Sequence, residues 1–250
     1  MPSPRKLRLD QALVQRGWFE DAGAAQRAIL AGEVRSGSAT LTSPDYQVSA
    51  EQPLELKLPS RYVSRGGDKL AGALAAFDFN PAGLRCLDAG ASTGGFTDCL
   101  LQAGAAGVTA VDVGYGQFAW KLREDSRVRL IERTNIRQIG PEQLGRFELA
   151  VADLSFIALR TVLAHLAGFL EPGGTLIALV KPQFELPKAE VGAGGVVSDA
   201  AARQKALDLV CAALPAANLT LQATTISPLK GPKGNTEYFI RAQTTGFPSS

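Results

Sequence analysis

The spacing of apolar positions changes character near residue 68. Before that point, residues 7–16 place Leu9, Ala12, Leu13 and Arg16 at helical spacing, and Gly17 stops the run. Asp21 is placed to cap a second helix running to about Leu30, with Ala25, Ile29 and Leu30 inward and Gly32 at its end. Short β-like runs follow at 33–35, 39–42, 46–48 and 54–58, separated by serine, glycine and proline. Two helices and a small curled sheet form a complete module over residues 1–58, with a core too small for much stability alone.

Residues 59–67 read as a linker, because Ser-Arg-Gly-Gly breaks regularity, and a new helix is expected from Asp68. Over 68–250 the pattern alternates between β and α. Strands are expected at 84–88, 108–112, 128–131, 148–152, 175–181, 219–226 and 235–241. Helices are expected between them, at 95–103, 117–123, 156–169 and 199–213. Such alternation predicts an α/β fold, a mostly parallel sheet covered on both faces. Only residues 227–234 separate the last two strands, which predicts an antiparallel pair, since a parallel return needs a crossover.

The first βαβ segment of this larger unit, residues 84–116, carries the most specific signal. One apolar run ends at Asp88, a glycine-rich turn opens a helix, and a second apolar run ends at Asp112. This is the arrangement that binds a nucleoside cofactor at the carboxyl edge of a doubly wound sheet. A dinucleotide fingerprint would read Gly-x-Gly-x-x-Gly and crowd a pyrophosphate against a helix N-terminus. Here the pattern is Asp88-x-Gly90-x-Ser92-x-Gly94-Gly95. Asp88 would repel a pyrophosphate and attract an ammonium, while Asp112 is placed to accept from ribose hydroxyls. That points to S-adenosylmethionine, with an NAD-type or other α/β turn as the alternative.

Composition changes the picture little. Apolar residues at 46% and charged residues at 20% describe an ordinary globule. No apolar stretch reaches the roughly 18–20 residues of a membrane span, and the basic N-terminus lacks the apolar core of a secretory signal. Cys86, Cys99 and Cys211 lack metal or disulfide spacing and read as reduced cytoplasmic thiols, so no metal is expected. Net charge is +2, and residues 1–65 hold the whole excess, with 9 Lys/Arg against 7 Asp/Glu. The cluster Arg5, Lys6 and Arg8 suggests phosphate contact, with a solvated face as the bland reading.

In a sheet of this kind the site lies beyond the carboxyl ends of the strands. Asp153 and Lys181 end two of the expected strands, and Pro182 marks the second end because it cannot donate to a ladder. Alternation sends Glu237 to the same face as Phe239, and Lys69 opens the helix before the first strand. Two lysines and two acids can therefore converge at one edge. Each alone has an ordinary reading: a solvated lysine, a turn-capping aspartate, an exposed glutamate. His165 reads as a packed or surface residue, and Phe118 and Trp120 as core rather than as base stackers.

The strings Ser64-Arg-Gly-Gly-Asp-Lys69-Leu, Asp88-Ala-Gly-Ala-Ser-Thr-Gly-Gly-Phe-Thr-Asp, Glu132-Arg-Thr-Asn135, Asp153-Leu-Ser-Phe-Ile157, Val180-Lys-Pro-Gln-Phe-Glu185 and Gly231-Pro-Lys-Gly-Asn-Thr-Glu237 span most of the chain. In them the larger unit resembles the RrmJ/FtsJ-type RNA 2′-O-methyltransferases. The whole chain resembles the TlyA family, which joins such a domain to an N-terminal S4 RNA-binding module. The resemblance implies a Rossmann-like seven-stranded fold with an S4-like domain at 1–58. It implies methyl transfer from S-adenosyl-L-methionine to a ribose 2′-hydroxyl of ribosomal RNA, at a cytidine of 16S RNA, 23S RNA or both.

The catalytic tetrad carried over is Lys69, Asp153, Lys181 and Glu237, with Lys181 at the 2′-hydroxyl, either removing its proton or stabilising the alkoxide. The cofactor residues carried over are Asp88, Gly90, Ser92, Gly94, Gly95, Phe96, Asp112, Asn135 and Asp153. Ribosomal RNA contacts fall to Arg5, Lys6, Arg8, Arg27, Arg35 and Arg65. Within this family one group acts on the large-subunit RNA and another on both subunits, and the chain's end at Gly246-Phe-Pro-Ser-Ser resembles the shorter group. A non-catalytic ribosome assembly factor would be expected to lose the tetrad, and all four residues are present. A haemolysin, a name such proteins also carry, would need a span or a strongly amphipathic basic helix, and the sequence has neither.

Overall fold

The computed structural model describes residues 6–56 and 61–245. The chain divides into two compact units, Met1–Ser60 and Arg61–Ser250. Arg5 lies outside the described residues, as do 57–60, where the predicted first module ends and the predicted linker starts.

In the first unit, helices Leu9–Gln15 and Ala22–Leu30 bury Leu9, Leu13, Ala25 and Ile29 against each other. Asp21 caps the second helix, its Oδ1 accepting from the Ala24 N–H at 2.7 Å. Leu30 departs from the expectation and is exposed. The inward stripe of this helix is Ala25, Ala28 and Ile29, and Leu30 lies a further 100° or so around the axis. Strand Val34–Ser36 pairs antiparallel with Ala39–Leu41 and with Glu55–Leu56, and Leu7–Arg8 pairs with Gln47–Val48. Val34, Leu41, Val48 and Leu54 close this small core.

The second unit is a seven-stranded sheet with helices on both faces, the architecture expected from the alternation. Its strands are β1 Arg85–Ala89, β2 Gly107–Val111, β3 Val128–Ile131, β4 Phe147–Ala152, β5 Leu170–Val180, β6 Leu219–Ile226 and β7 Tyr238–Thr244. Their order across the sheet is β6-β7-β5-β4-β1-β2-β3. β7 is antiparallel to both its neighbours, and all other pairings are parallel.

Two strands differ from the sequence reading. β5 begins at Leu170, with an irregular register between Leu170 and Thr175, so the preceding helix stops at Gly168. β7 begins at Tyr238 instead of 235, because residues 231–237 are folded into a loop of their own. In that loop the Gly231 N–H donates to the Asn235 carbonyl at 2.9 Å.

Side chains alternate between two cores. Ala150, Ala152, Ala178, Val180 and Ile240 face the layer containing Leu163, Leu166 and Val210. Leu149, Val151, Ile177, Leu179 and Phe239 face helices α1 (Arg65–Ala76) and α2 (Gly95–Gln102). Continuing the second parity past the strand ends gives Asp153, Lys181 and Glu237. The helix covering that same face carries Lys69. Sheet geometry thus brings all four residues to one side of one edge.

Helix α1 starts at Arg65, three residues earlier than expected, with Ser64 as its N-cap residue. Residues 61–67 are therefore not a free linker. The Val63 N–H donates to Asp98 Oδ2 at 2.8 Å, and Gln102 Nε2 donates to the Arg61 carbonyl at 2.9 Å. Both hydrogen bonds tie the segment to α2. Glycine is a poor helix former, but here packing overrides propensity. A Cβ on Gly67 would run into the Tyr62 ring, and one on Gly95 would meet the Gly67 nitrogen at 2.8 Å. Close approach of the two helix N-termini requires both glycines.

This yields a test with a decisive sign. By propensity alone, Gly67→Ala would stabilise the helix by about 1 kcal/mol. Overpacking against Tyr62 predicts instead a loss of about 1–3 kcal/mol. Urea unfolding of the two proteins distinguishes them, and a stabilised variant would refute the close-approach account.

Candidate active site

Two clefts open at the carboxyl edge of the sheet, at β1, β2 and β4. The larger, of 560 Å³, is walled by Gly90, Ser92, Asp112, Gly114, Asn135 and Asp153, among others. The smaller, of 410 Å³, is lined by Ser64, Arg65, Lys69, Gly95, Phe96 and Lys230, among others. Gly90, Ser92 and Asp153 belong to both. Asp153 thus stands where the two clefts meet.

The turn after β1 is shaped for close approach. Gly90 has φ +86°, and a Cβ there would meet the Asp153 carbonyl oxygen at 2.7 Å. Asp112, at the end of β2, accepts from the Ser92 N–H at 2.8 Å and from the Gly114 N–H at 2.6 Å. Its carboxylate is thereby fixed in the wall of the larger cleft. Asn135 Oδ1 accepts from the Arg137 N–H at 3.1 Å, so this residue both lines the cleft and caps its turn.

Asp88 differs from an acid displayed at a strand end. Its side chain is fully buried, because β1 is central in the sheet and α2 covers it. Oδ2 accepts from Thr97 Oγ1 at 2.7 Å, while Oδ1 has no partner. Burial, with the nearby Asp153 and Asp112 charges, pushes this carboxyl up to about 7, against the opposing hydrogen bond from Thr97. Gly94, with φ +92°, is the N-cap residue of α2 and lines neither cleft. Gly95 and Phe96 line the smaller cleft instead of the larger one.

The four candidate catalytic residues form two ion pairs. Lys69 Nζ lies 2.5 Å from Glu237 Oε2, and both side chains are buried. Lys181 Nζ lies 2.6 Å from Asp153 Oδ1 and donates to Ser155 Oγ at 2.8 Å. Lys69 and Asp153 both line the smaller cleft, so the two pairs meet there. Two paired cations beside an open cleft can steer the charge that develops on an attacking oxygen.

Several supporting residues lie within the quoted strings but received no role from the sequence. Glu185, buried, accepts from the Leu159 N–H at 2.5 Å and pairs with Arg160 at 3.1 Å, fastening the loop after β4 to the turn after Lys181. Asn235 Oδ1 accepts from the Val197 N–H, and its Nδ2 donates to the Gly195 carbonyl, both at 2.8 Å. That holds the loop carrying Glu237. Phe156 sits on the rim of the larger cleft at 91% exposure, its ring 5.5 Å from that of Phe184. Phe118 is core, as expected, whereas Trp120 is 71% exposed, and Leu122 is the buried residue of the short helix that Trp120 opens. His165 Nε2 lies 2.6 Å from the Ile136 carbonyl and plays a packing role.

Of the candidate RNA contacts, Arg65 lines the smaller cleft. Arg8 is engaged by Asp10 and Asp45, each at 2.8 Å. Lys6, Arg27 and Arg35 are exposed and form no ion pair among the described residues. Among the described residues there is also no cluster of metal-ligating side chains and no helix long and apolar enough to cross a membrane.

Comparisons with known proteins agree on one family. Residues 62–244 match the model of the FtsJ-like methyltransferases. A Mycobacterium tuberculosis protein named 16S/23S rRNA (cytidine-2′-O)-methyltransferase TlyA is 47% identical over 96% of this chain and 91% of its own. Hemolysin A of Brachyspira hyodysenteriae is 38% identical over 93% of this chain and 98% of its own. A solved Streptococcus thermophilus structure, described as a candidate hemolysin, superposes with TM-score 0.74 at 39% identity, covering 98% of this chain and 91% of that one.

The buried Asp88 carboxyl predicts how stability depends on pH. Folding raises its value from 3.8 to about 7, so the folded state holds the proton more tightly. Its contribution is fully present below pH 4 and is lost as pH rises to 7, with a slope of at most about 1.4 kcal/mol per unit. Asp88→Asn removes this titration. Its stability relative to the parent protein should climb between pH 4 and 7 in denaturant unfolding, and a difference independent of pH would contradict the assignment.

Proposed function

Because the chain belongs to the FtsJ-like methyltransferase family, within its TlyA group, we propose that it methylates a ribose 2′-hydroxyl of ribosomal RNA, at a cytidine, using S-adenosyl-L-methionine. The arrangement that carries this reading is the pair of clefts sharing Asp153, with Lys69–Glu237 and Lys181–Asp153 at their junction. The presence of both ion pairs favours an enzyme over a non-catalytic RNA-binding assembly factor.

The residues of the larger cleft fit the methyl donor. Asp112 supplies a fixed carboxylate for ribose hydroxyls, and Ser92 and Asn135 line the same wall. Oδ1 of Asp88, two residues before Gly90, is a buried acceptor without a partner, although its side chain lines neither cleft. Gly90 leaves room that a side chain would fill. When bound, the donor supplies a sulfonium-activated methyl group.

The smaller cleft then receives the target nucleotide. Lys181 Nζ, held by Asp153, meets the attacking 2′-oxygen and manages its proton. Lys69, held by Glu237, adds positive charge on the other side of the same junction. Asp153 and Glu237 orient the lysines, and positioning plus charge stabilisation provide the acceleration. Residues 1–58 act as an S4-like module that grips RNA through Lys6, Arg27 and Arg35, with Arg65 at the cleft itself. The protein works in the cytoplasm, where ribosomal subunits are assembled.

Lys181→Ala should slow single-turnover methyl transfer by about 10²–10⁴-fold, the range of a lost acid–base group, while RNA and donor affinities stay near normal. Lys181→Arg should fail as well, since a guanidinium is bulkier and holds its proton. Near-normal transfer by Lys181→Ala would overturn the reading.

A further inference from the structure

Every methyl transferred from a sulfonium to a ribose hydroxyl releases one proton, and the residue placed to receive it is secluded. Lys181 is 9% exposed, and its Nζ meets Asp153 Oδ1 at 2.6 Å, Ser155 Oγ at 2.8 Å and the face of the Phe184 ring at 5.9 Å. We propose that Ser155 Oγ is the route by which this proton passes from Lys181 to solvent. The proposal rests on the reading of Lys181 given above.

The hydrogen-bond direction carries the argument. A protonated lysine offers only donors, so Ser155 Oγ accepts and its own hydrogen points elsewhere. Ser155 is exposed and makes no other hydrogen bond among the described residues. Its hydrogen is therefore free to bond water at the rim of the larger cleft. A hydroxyl can take one proton on its lone pair as it gives up another, and it remains neutral throughout. Asp153, the other neighbour, faces Lys181 with Oδ1, which is itself buried, so a proton taken there would not reach solvent directly.

The loop keeps this contact in register. At its start the Asp153 N–H donates to the Ala89 carbonyl at 3.1 Å. At its end Glu185 takes the Leu159 N–H.

The 2′-oxygen forms its bond to the methyl carbon while the carbon–sulfur electron pair returns to sulfur, leaving a neutral thioether. The 2′-hydroxyl proton moves to the Lys181 amine, which has first shed by the same route the proton it holds in the resting ion pair. Lys181 then passes a proton to Ser155 Oγ as the serine hydroxyl proton goes to water. The amine and the hydroxyl are regenerated, and one proton has entered the solvent.

The test uses the full chain and begins without donor or RNA. Hydrogen exchange at Lys181 Nζ, followed by ¹⁵N NMR, should slow about tenfold or more in Ser155→Ala, because the hydroxyl that relays the proton is gone, and recover in Ser155→Thr. In single-turnover transfer to ribosomal RNA, Ser155→Ala should lose up to about 10²-fold, with unchanged donor and RNA affinity, and Ser155→Thr should restore the rate. Exchange that is unchanged or faster in Ser155→Ala would overturn the proposal, since the proton would then leave by another path, Asp153 included. A slowed reaction with normal exchange would also overturn it, reducing Ser155 to a prop for Lys181. Near-normal transfer by Lys181→Ala would instead remove the parent reading, and the exchange result separates the two failures.

Discussion

Two lysine ammonium groups are buried at the edge of this sheet, and burying a charge is tolerable only when it is paired and hydrogen-bonded. Each partner comes from a distant part of the chain: Glu237 for Lys69 and Asp153 for Lys181. The pairs therefore exist only if helix α1 and the ends of β4, β5 and β7 are brought together. Removing one carboxylate would leave an uncompensated cation beside an open cleft, so the site and this end of the sheet stand or fall together. Such pairs contribute little net stability compared with apolar packing. What they add is a fixed array of positive charge at one place.

The fold supplies that array by simple means. Alternation along three strands directs Asp153, Lys181 and Glu237 to one face, and α1 covers that face with Lys69 toward it. α1 holds its position through close glycine contacts with α2 and through Asp98 and Gln102, which bind the segment before it. The same edge carries the Gly90 turn and Asp112. Asp153, with Gly90 and Ser92, belongs to both clefts, which joins a donor position and an acceptor position at the lysines.

Much of this was legible in the sequence because it depends on local periodicity. The strand ends at Asp88, Asp112, Asp153 and Lys181 follow from apolar runs, and alternation alone placed Glu237 with Phe239. What escaped detection depends on contacts between segments. Ser155 meets Lys181 across 26 positions, and Asn235 meets Gly195 across 40. No window of sequence records such a pairing. Residues 65–67 were misread for the opposite reason: glycines that look like a break are helical because Tyr62 and α2 need the space. The burial of Asp88 was hidden too, since a strand's position within its sheet is a property of topology.

The central claim is that the paired lysines serve methyl transfer to a ribose oxygen. Its most direct test follows the methyl group itself. Ribosomal RNA lacking the modification is incubated with the full chain and labelled S-adenosyl-L-methionine, then digested with alkali. A 2′-O-methyl group blocks attack on the adjoining phosphate, so the label should remain in alkali-resistant dinucleotides with cytidine as the methylated nucleoside. Label recovered in mononucleotides, on the base, would contradict the account.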